Sequence, residues 1–310
     1  MRLAILSRNS TLYSTRRLVQ SAQSRGHQVT VLDTLTIAVE VGLGRPEAQE
    51  IRMIGVSPLG LARTIGVPDV DAIIPRIGTS VTFYGLAVVR QFEAMGVPTT
   101  ATADAIARSR DKLHSLQTMD EAGLPVPRTA VIATRRALVA AVQAVGGLPV
   151  VIKLIRGTQG KGVVLARNLA TAAAVLDKVR AANRQALIQQ YIAEAAGTDR
   201  RLIVVGNRCV AAMERLAAEG EFRANLHRGG TARPFTPDPR TEELAVAAAR
   251  AHGLAVAGVD LLQSDQGPLL LEVNSSPGLE GIERATGADV AGAIVEYVER
   301  AAGRERKRRR

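Results

Sequence analysis

The sequence predicts a mixed α/β (α+β) fold that opens with a small open parallel-sheet N-terminal domain, and three observations carry that expectation. The first hundred residues alternate short aliphatic strands with amphipathic helices, the pattern of parallel crossovers. The rest of the chain mixes helices with neighbouring strands joined by tight, glycine-containing turns, as hairpins require. Of the 310 residues, 46% are apolar, with four Phe, four Tyr and no Trp, so the core is large and built from Leu, Val, Ile and Ala.

Each element can be justified in order. Arg2 to Ser7 reads as a short buried strand, and Ser14 to Arg25 has helical spacing through Leu18 and Ala22 before stopping at Gly26. Gln28 to Leu32 alternates as a second strand. A poorly patterned, Gly- and Pro-rich stretch follows, then a strand at Ala72 to Pro75 and a helix from Val81 to Met95 that ends at Gly96. The first strand has no Gly-x-Gly-x-x-Gly after it, so no dinucleotide is assigned. Near Ala101 to Asp104 the pattern changes, and one helix carries Asp111, Lys112, Leu113, Leu116 and Met119 to Gly123. Strands are then expected at Thr129 to Ala133, Val150 to Leu154, Val163 to Ala166 and Ala186 to Ile192, with helices at Leu138 to Val145 and Leu169 to Ala182. Leu202 to Val205 and Cys209 to Arg215 form a hairpin turning at Gly206-Asn207. A helix from Glu242 to His252 precedes strands at Val256 to Leu262 and Leu269 to Val273.

Bulk properties narrow the function. The length suits two or three packed units, and the apolar fraction excludes global disorder. The single cysteine, Cys209, cannot form an intramolecular disulfide and sits in an apolar run as core filler. The N-terminal apolar run is too short for a signal segment and no stretch is long enough to span a bilayer, so a cytoplasmic protein without membrane contact is expected. Net charge is +11, of which residues Arg304 to Arg310 contribute +5 as a solvated, mobile tail, leaving +6 for the body. Such charge serves solubility, or draws in an acidic protein segment or RNA without sequence-specific recognition.

Chemistry concentrates in a few segments. Gly258-Val259-Asp260-Leu261-Leu262 and Leu269-Leu270-Leu271-Glu272-Val273-Asn274 are apolar strands joined by a short turn. Glu272 and Asn274 share a strand face. With a three-residue loop, Asp265 to Gly267, and Gly267 in the left-handed conformation, Asp260 lies opposite Glu272. Carboxylates among leucines and valines are costly unless paired or metal-bound, although an alternating surface strand also fits. The oxygen set suits magnesium and lacks the His or Cys of a zinc site. The following loop, Ser275-Ser276-Pro277-Gly278, can present backbone N–H groups to an anion or serve as a plain connection.

Lys153 interrupts the apolar strand Val150 to Leu154, and Gly157-Thr158-Gln159-Gly160-Lys161-Gly162 follows it. Gly157 and Gly160 would let backbone approach a phosphate, while a flexible tip fits the same glycines; the order is not that of a Walker loop. Gln189-Gln190-Tyr191-Ile192 can offer backbone hydrogen bonds to an adenine edge, or simply end an edge strand. Phe222-Arg223-Ala224-Asn225-Leu226-His227-Arg228-Gly229-Gly230 collects cations, an amide and glycines without periodicity. Arg223 and Arg228 can neutralise phosphate charge during transfer, whereas His227 alone reads as a structural hydrogen-bonder.

Together the lysine strand, the glycine hairpin, the Phe-Arg-x-Asn-Leu-His-Arg-Gly-Gly segment and the Glu-Val-Asn-x-Ser-Pro-Gly ending resemble the ATP-grasp superfamily, most closely its RimK family. That family adds glutamate to the C-terminus of small-subunit ribosomal protein six. The resemblance runs nearly end to end, through Ala4-Ile5-Leu6-Ser7-Arg8, Thr11-Leu12-Tyr13-Ser14, Pro75-Arg76-Ile77-Gly78-Thr79, Phe83-Tyr84-Gly85 and Arg110-Asp111-Lys112-Leu113. It implies an ATP-grasp fold behind the N-terminal pre-ATP-grasp domain. The implied division is 1–100, a central subdomain 104–187, a C-terminal subdomain 188–303 and a basic tail 304–310 that inherits no role. Lys112 and Lys153 would contact ATP phosphates, with Gly157 and Gly160 over them. Gln189, Gln190, Tyr191 and Ile192 would form the adenine hinge, and Asp199 would bind ribose. Arg223, Ala224, Asn225 and Arg228 would lie by the phosphates. Asp260, Glu272 and Asn274 would hold magnesium or manganese, as two ions. Gln190 stands where family members commonly have Glu, and Ala224 where Ser is common.

The implied reaction forms an acyl phosphate from the acceptor carboxylate and ATP, which the amine of L-glutamate then converts to an amide. This needs charge neutralisation and alignment, so the absence of a Ser-His-Asp or Cys-His arrangement is understandable. An acidic protein tail suits a basic enzyme, and the family implies a homo-oligomer. Two other readings stay open. One is a ligase for a small amino acid, peptide or cofactor, although Gly258 stands where D-alanine ligases have Arg. The other is a non-catalytic nucleotide- or RNA-binding module, against which the full set of lysines and metal-type residues and the scarcity of aromatics argue. No specific nucleic acid is expected.

Overall fold

The computed structural model describes residues 1–39, 41, 53–56, 59–60, 62–65, 70–155, 162–195, 197–224 and 229–309. Strand β1 (Arg2–Leu6), helix α1 (Tyr13–Ser24) and strand β2 (Gln28–Leu32) open the chain, and α1 stops where Gly26 takes φ +77°. Strands β3 (Ile37–Val39), β4 (Met53–Val56) and β5 (Ala62–Ile65) pair antiparallel in the stretch that shows no pattern in the sequence. Strands this short carry too few alternations to be read. Then β6 (Ala72–Pro75) returns to lie beside β1, giving a parallel sheet in the order β2-β1-β6, and α2 (Thr82–Ala94) follows.

The helix expected from Asp111 to Gly123 is α4 (Lys112–Glu121), and a further helix, α3 (Ala103–Arg110), precedes it. Asp111 separates them because its backbone is extended and its side chain accepts from the Leu113 and His114 N–H groups, both at 3.1 Å.

A four-stranded antiparallel sheet comes next. It comprises β7 (Thr129–Val131), β8 (Val150–Leu154), β9 (Val163–Ala166) and β10 (Ala186–Gln190) in the order β7-β10-β8-β9, with α5 (Leu138–Ala144) and α6 (Leu169–Ala181). Val142, Val150, Ile152, Ala172 and Ile188 fill a core of its own. Strand parity turns Lys153 and Gln189 away from that core.

The last sheet has five antiparallel strands in the order β13-β12-β11-β14-β15. These are β11 (Thr198–Val205), β12 (Arg208–Leu216), β13 (Thr231–Pro234), β14 (Val256–Ser264) and β15 (Gly267–Asn274), with α7 (Pro239–Ala251), α8 (Glu280–Thr286) and α9 (Val290–Arg309). One face shares a core with the N-terminal sheet: Ile203, Val205 and Val256 meet Leu3, Ile5, Ile74 and the α9 residues Ile294, Val295 and Val298. Its other face buries Leu202, Val204 and Val259 with Phe92, Met119 and Ala248. Helix α9 runs through the basic residues to Arg309, where a mobile tail was expected; Arg, Lys and Glu are good helix formers that prolong an anchored helix. Among the described residues no helix is long and apolar enough to cross a membrane.

Candidate active site

The β14–β15 hairpin places Asp260 opposite Glu272, as expected, but by a different route. The turn is the two residues Asp265 and Gln266, since Ser264 pairs with Gly267, and the register then slips between Asp260 and Leu261. Leu271 is the extra residue of that bulge, which restores the alignment that a three-residue loop would have given. Gly267 does take a positive φ, +110°.

Four strands then line up charges on one face. Arg215 lies opposite Asp199, Arg201 opposite Asp260, and Asp260 opposite Glu272. Arg215 Nε and Nη2 donate to the two Asp199 oxygens at 2.5 and 2.7 Å, and Nη2 also reaches Asp260 Oδ2 at 3.0 Å. Arg201 donates to both Asp260 oxygens at 2.6 Å. Asp260 is only 4% exposed, yet its carboxyl is held below the usual range: burial opposes the charge, and Arg201 and Arg215 outweigh burial. Burial pushes Asp199 up against the pull of Arg215. The two carboxylates likewise keep Arg215 charged although burial works against it.

Helix α4 and strand β8 bring two lysines to this face. Lys112 Nζ stands 3.9 Å from Glu272 Oε1, and the Lys112 N–H donates to the Ile155 carbonyl at 3.3 Å. Lys153 Nζ donates to Gln189 Oε1 at 2.6 Å, and Gln189 Nε2 donates to Thr129 Oγ1 at 2.9 Å. Burial pushes the Lys153 ammonium down to about 8; the charges of Glu272, Asp199 and Asp260 pull the other way, and Lys112 adds to the lowering. Lys112, Lys153, Asp199, Asp260 and Glu272 therefore act within one electrostatic neighbourhood.

The other expected residues divide. Gln190 is tied to Arg128 in both directions: its N–H donates to the Arg128 carbonyl at 2.8 Å, and its Oε1 accepts from the Arg128 N–H at 3.3 Å. Tyr191 and Ile192 continue beyond the end of β10. Arg223 is held by Glu221 and donates to the Val163 carbonyl at 3.3 Å, which joins its loop to β9. That pairing holds the Glu221 carboxyl down at about 2. Ala224 is buried. Asp199, which the resemblance implies at a ribose, accepts from Arg215 on both oxygens. Gly157, Gly160, Asn225 and Arg228 lie outside the described residues. Asn274 faces the hairpin, its Nδ2 3.5 Å from the Gly258 carbonyl. Gly258 has no room for a side chain, since a Cβ there would stand 2.8 Å from Pro277 Cβ; this seats the loop after Asn274 against β14.

Asp260, Glu272 and Asn274 fit a hard divalent cation. All can offer oxygen, Asp260 Oδ1 accepts a single hydrogen bond among the described residues, and the Glu272 side chain is 35% exposed with Lys112 as its near cation. Sequence reasoning missed Arg201 and Arg215. The available signal was Arg215 itself, a charge that follows the apolar run Cys209 to Met213 and Glu214 and lies opposite Asp199 once the hairpin is drawn.

The solved structures that this fold matches include ATP-grasp proteins. The ligase PsnB, described in complex with a minimal precursor, aligns with TM-score 0.72 at 19% identity over 97% of this chain and 98% of that one. A RimK domain ATP-grasp protein from Sphaerobacter thermophilus aligns with TM-score 0.69 at 23% identity over 96% of this chain and all of that one. The description "RimK-like ATP-grasp domain" matches residues 109–298, and "RimK PreATP-grasp domain" matches residues 1–106. A relative from Aliivibrio fischeri named probable alpha-L-glutamate ligase is 48% identical over 310 residues, covering 100% of this chain and 99% of the relative. One from Marinomonas sp. with the same name is 50% identical, covering 97% of this chain and 96% of the relative. The family match and these relatives thus define the class as an ATP-dependent ligase. The chain belongs to the RimK family of the ATP-grasp superfamily.

Proposed function

We propose that this protein adds L-glutamate, by ATP-dependent amide formation, to the C-terminal carboxylate of an acidic protein acceptor, a small-subunit ribosomal protein. The observation that carries the reading is the approach of Lys112 and Lys153, from separate elements, to the Asp260 and Glu272 face. Near full-length similarity to proteins named probable alpha-L-glutamate ligase supports the amine substrate. A cytoplasmic location, a homo-oligomer and the division at 1–100, 104–187, 188–303 and 304–310 belong to the same proposal.

Lys112 and Lys153 bind the nucleotide phosphates and lower the repulsion that an incoming carboxylate meets. Gln189 fixes the Lys153 ammonium, while Gln190, Tyr191 and Ile192 seat the adenine with backbone groups. Magnesium or manganese, as two ions, would be held by Asp260, Glu272 and Asn274, and when bound supplies neutralisation of phosphate charge. Arg201 and Arg215 orient the Asp260 carboxylate, and Asp199, itself held by Arg215, binds the ribose. The acceptor carboxylate oxygen attacks the γ-phosphorus, the bond to the ADP oxygen breaks, and an acyl phosphate results. Arg223, with Arg228 from the same segment, offsets charge on the transferred group. The glutamate nitrogen then attacks the acyl carbon, loses a proton and expels phosphate.

Incubation with ATP, magnesium, glutamate and the purified ribosomal protein, followed by ADP release and intact mass, tests this. Additions in glutamate-residue steps are expected. ADP release only with small amino acids or peptides would replace the protein acceptor with a small one, and no turnover with any acceptor would overturn the ligase reading.

A further inference from the structure

The loop after β6 is fixed on three sides. Arg110 donates from Nη2 to the Ile77 carbonyl and from Nη1 to the Gly78 carbonyl and the Thr82 hydroxyl. Helix α2 closes on Ile77 at Gly85, where a Cβ would stand 2.5 Å from Ile77 Cγ2. On the third side the Ser276 hydroxyl reaches the Pro75 carbonyl at 3.4 Å. Arg76 is thereby presented from a rigid backbone, half-buried, with no hydrogen bond or ion pair to its guanidinium among the described residues. Arg8, exposed at the end of β1, reaches the Ser80 hydroxyl at 3.5 Å. No carboxylate among the described residues pairs with Arg8, Arg76 or Arg110. Burial alone pushes Arg76 and Arg110 down to about 10, because no acid offsets it.

A desolvated cation without a counter-charge is costly unless something anionic meets it. The loop's neighbours indicate where that anion comes from. Arg110 is two residues before Lys112, which stands 3.9 Å from Glu272, and Ser276 is two residues after Asn274. The carboxylate-free arginines thus border the site proposed for transfer. ATP phosphates already have Lys112 and Lys153, and the anion nearest to a transferring terminal carboxylate is the acceptor's own preceding acidic side chain.

We propose that Arg76, supported by Arg8, binds the acidic side chains that precede the reacting terminus of the acceptor chain, and so sets the preference for a glutamate-rich tail. This rests on the ligase reading above. Arg110 is a positioning residue that holds the loop through backbone carbonyls.

Two peptides separate the possibilities: one ends Glu-Glu-Glu and the other Gln-Gln-Glu, on a common neutral stem. The wild-type protein should favour the first by about tenfold in KM, with that preference shrinking as salt rises. R76Q should remove most of it while leaving kcat at saturating peptide and the KM values for ATP and glutamate unchanged; R76K should retain most of it. R8Q, at an exposed position that does not threaten folding, should remove a smaller share. An R76Q protein that keeps the full preference, or loses kcat equally with both peptides, overturns the assignment. If neither peptide is ligated, fluorescence anisotropy of the labelled peptides still decides. Tighter binding of Glu-Glu-Glu that R76Q abolishes sustains the site, and equal binding of the two peptides by wild type overturns it.

Discussion

Arg201 and Arg215, on the five-stranded sheet, each grip a carboxylate with two nitrogens, whereas among the described residues Lys153, on the four-stranded sheet, has an amide oxygen and Arg76, on the N-terminal loop, has no side-chain partner. All four are cations in partly or fully buried surroundings. The matched pair contributes geometry: bidentate contacts fix Asp260 and Asp199 but leave little free charge. The unmatched cations are held at a cost in solvation that an anionic ligand relieves on binding. One chain therefore uses the same chemistry in two ways, and where the counter-charge is built in, a side chain is being oriented. Where it is missing, the proposed substrates would supply it.

The sharpest break in that comparison is a carboxylate that belongs to neither class. Among the described residues Glu272 has the 3.9 Å approach of Lys112 and is partly exposed, which suits the proposed role toward a bound species more than a role in the fold. Glu272→Gln should lower kcat/KM by about 10³-fold or more, from loss of transition-state stabilisation, with little change in Tm. Retained activity would remove Glu272 from the metal site.

The matched side responds in stability instead. Arg215→Met strands Asp199 in the interior and leaves Asp260 with Arg201 as its one arginine among the described residues, which should cost about 3–5 kcal/mol, read by denaturant unfolding. Adding Asp199→Asn should restore part of the loss, because one stranded charge disappears. Additive losses in the double variant would show that Arg215 and Asp199 are not coupled.

The unmatched side responds to pH. The free protein's Lys153 loses its proton near pH 8, while a bound triphosphate favours the charged form. Nucleotide affinity, measured by calorimetry, should therefore weaken as pH rises above 8, by up to about tenfold per unit. Lys153→Met should bind more weakly and lose that slope; a slope unchanged in K153M assigns the titration to another group.

These contrasts mark what could be read from sequence. The parallel N-terminal sheet was legible because β1, β2 and α1 show clean periods. So was the shared face of Asp260, Glu272 and Asn274, because parity and the cost of lone carboxylates are local facts. The register was reached through a three-residue loop, although the chain uses a two-residue turn plus a bulge at Leu271; a bulge leaves no mark on a hydrophobic pattern. Strands β3 to β5 and helix α3 were missed, the strands for brevity and α3 because its eight residues are too few to show a clear period, while the helix from Asp111 was legible with Asp111 as its cap. The partners of Arg215 and the isolation of Arg76 are properties of packing between distant segments, which no window of sequence contains.

The weakest expected effect comes from a matched pair on the outside. Glu299 of α9 accepts from Arg25 Nε and Nη2, just past α1, at 2.8 and 2.5 Å, and pairs with the His27 ring at 2.6 Å. Hydrogen bonding from Arg25, then from His27, outweighs burial and holds the Glu299 carboxyl down at about 2. A depressed carboxyl contributes stability above its unfolded range, and that contribution is lost as pH falls from about 4.5 toward 2. Solvent screens this cluster, so Glu299→Gln should cost only about 0.5–1 kcal/mol at neutral pH. The Tm gap between wild type and E299Q should close as pH approaches 2; a gap that stays constant would mean that Glu299 contributes packing to the α1–α9 contact and no charge.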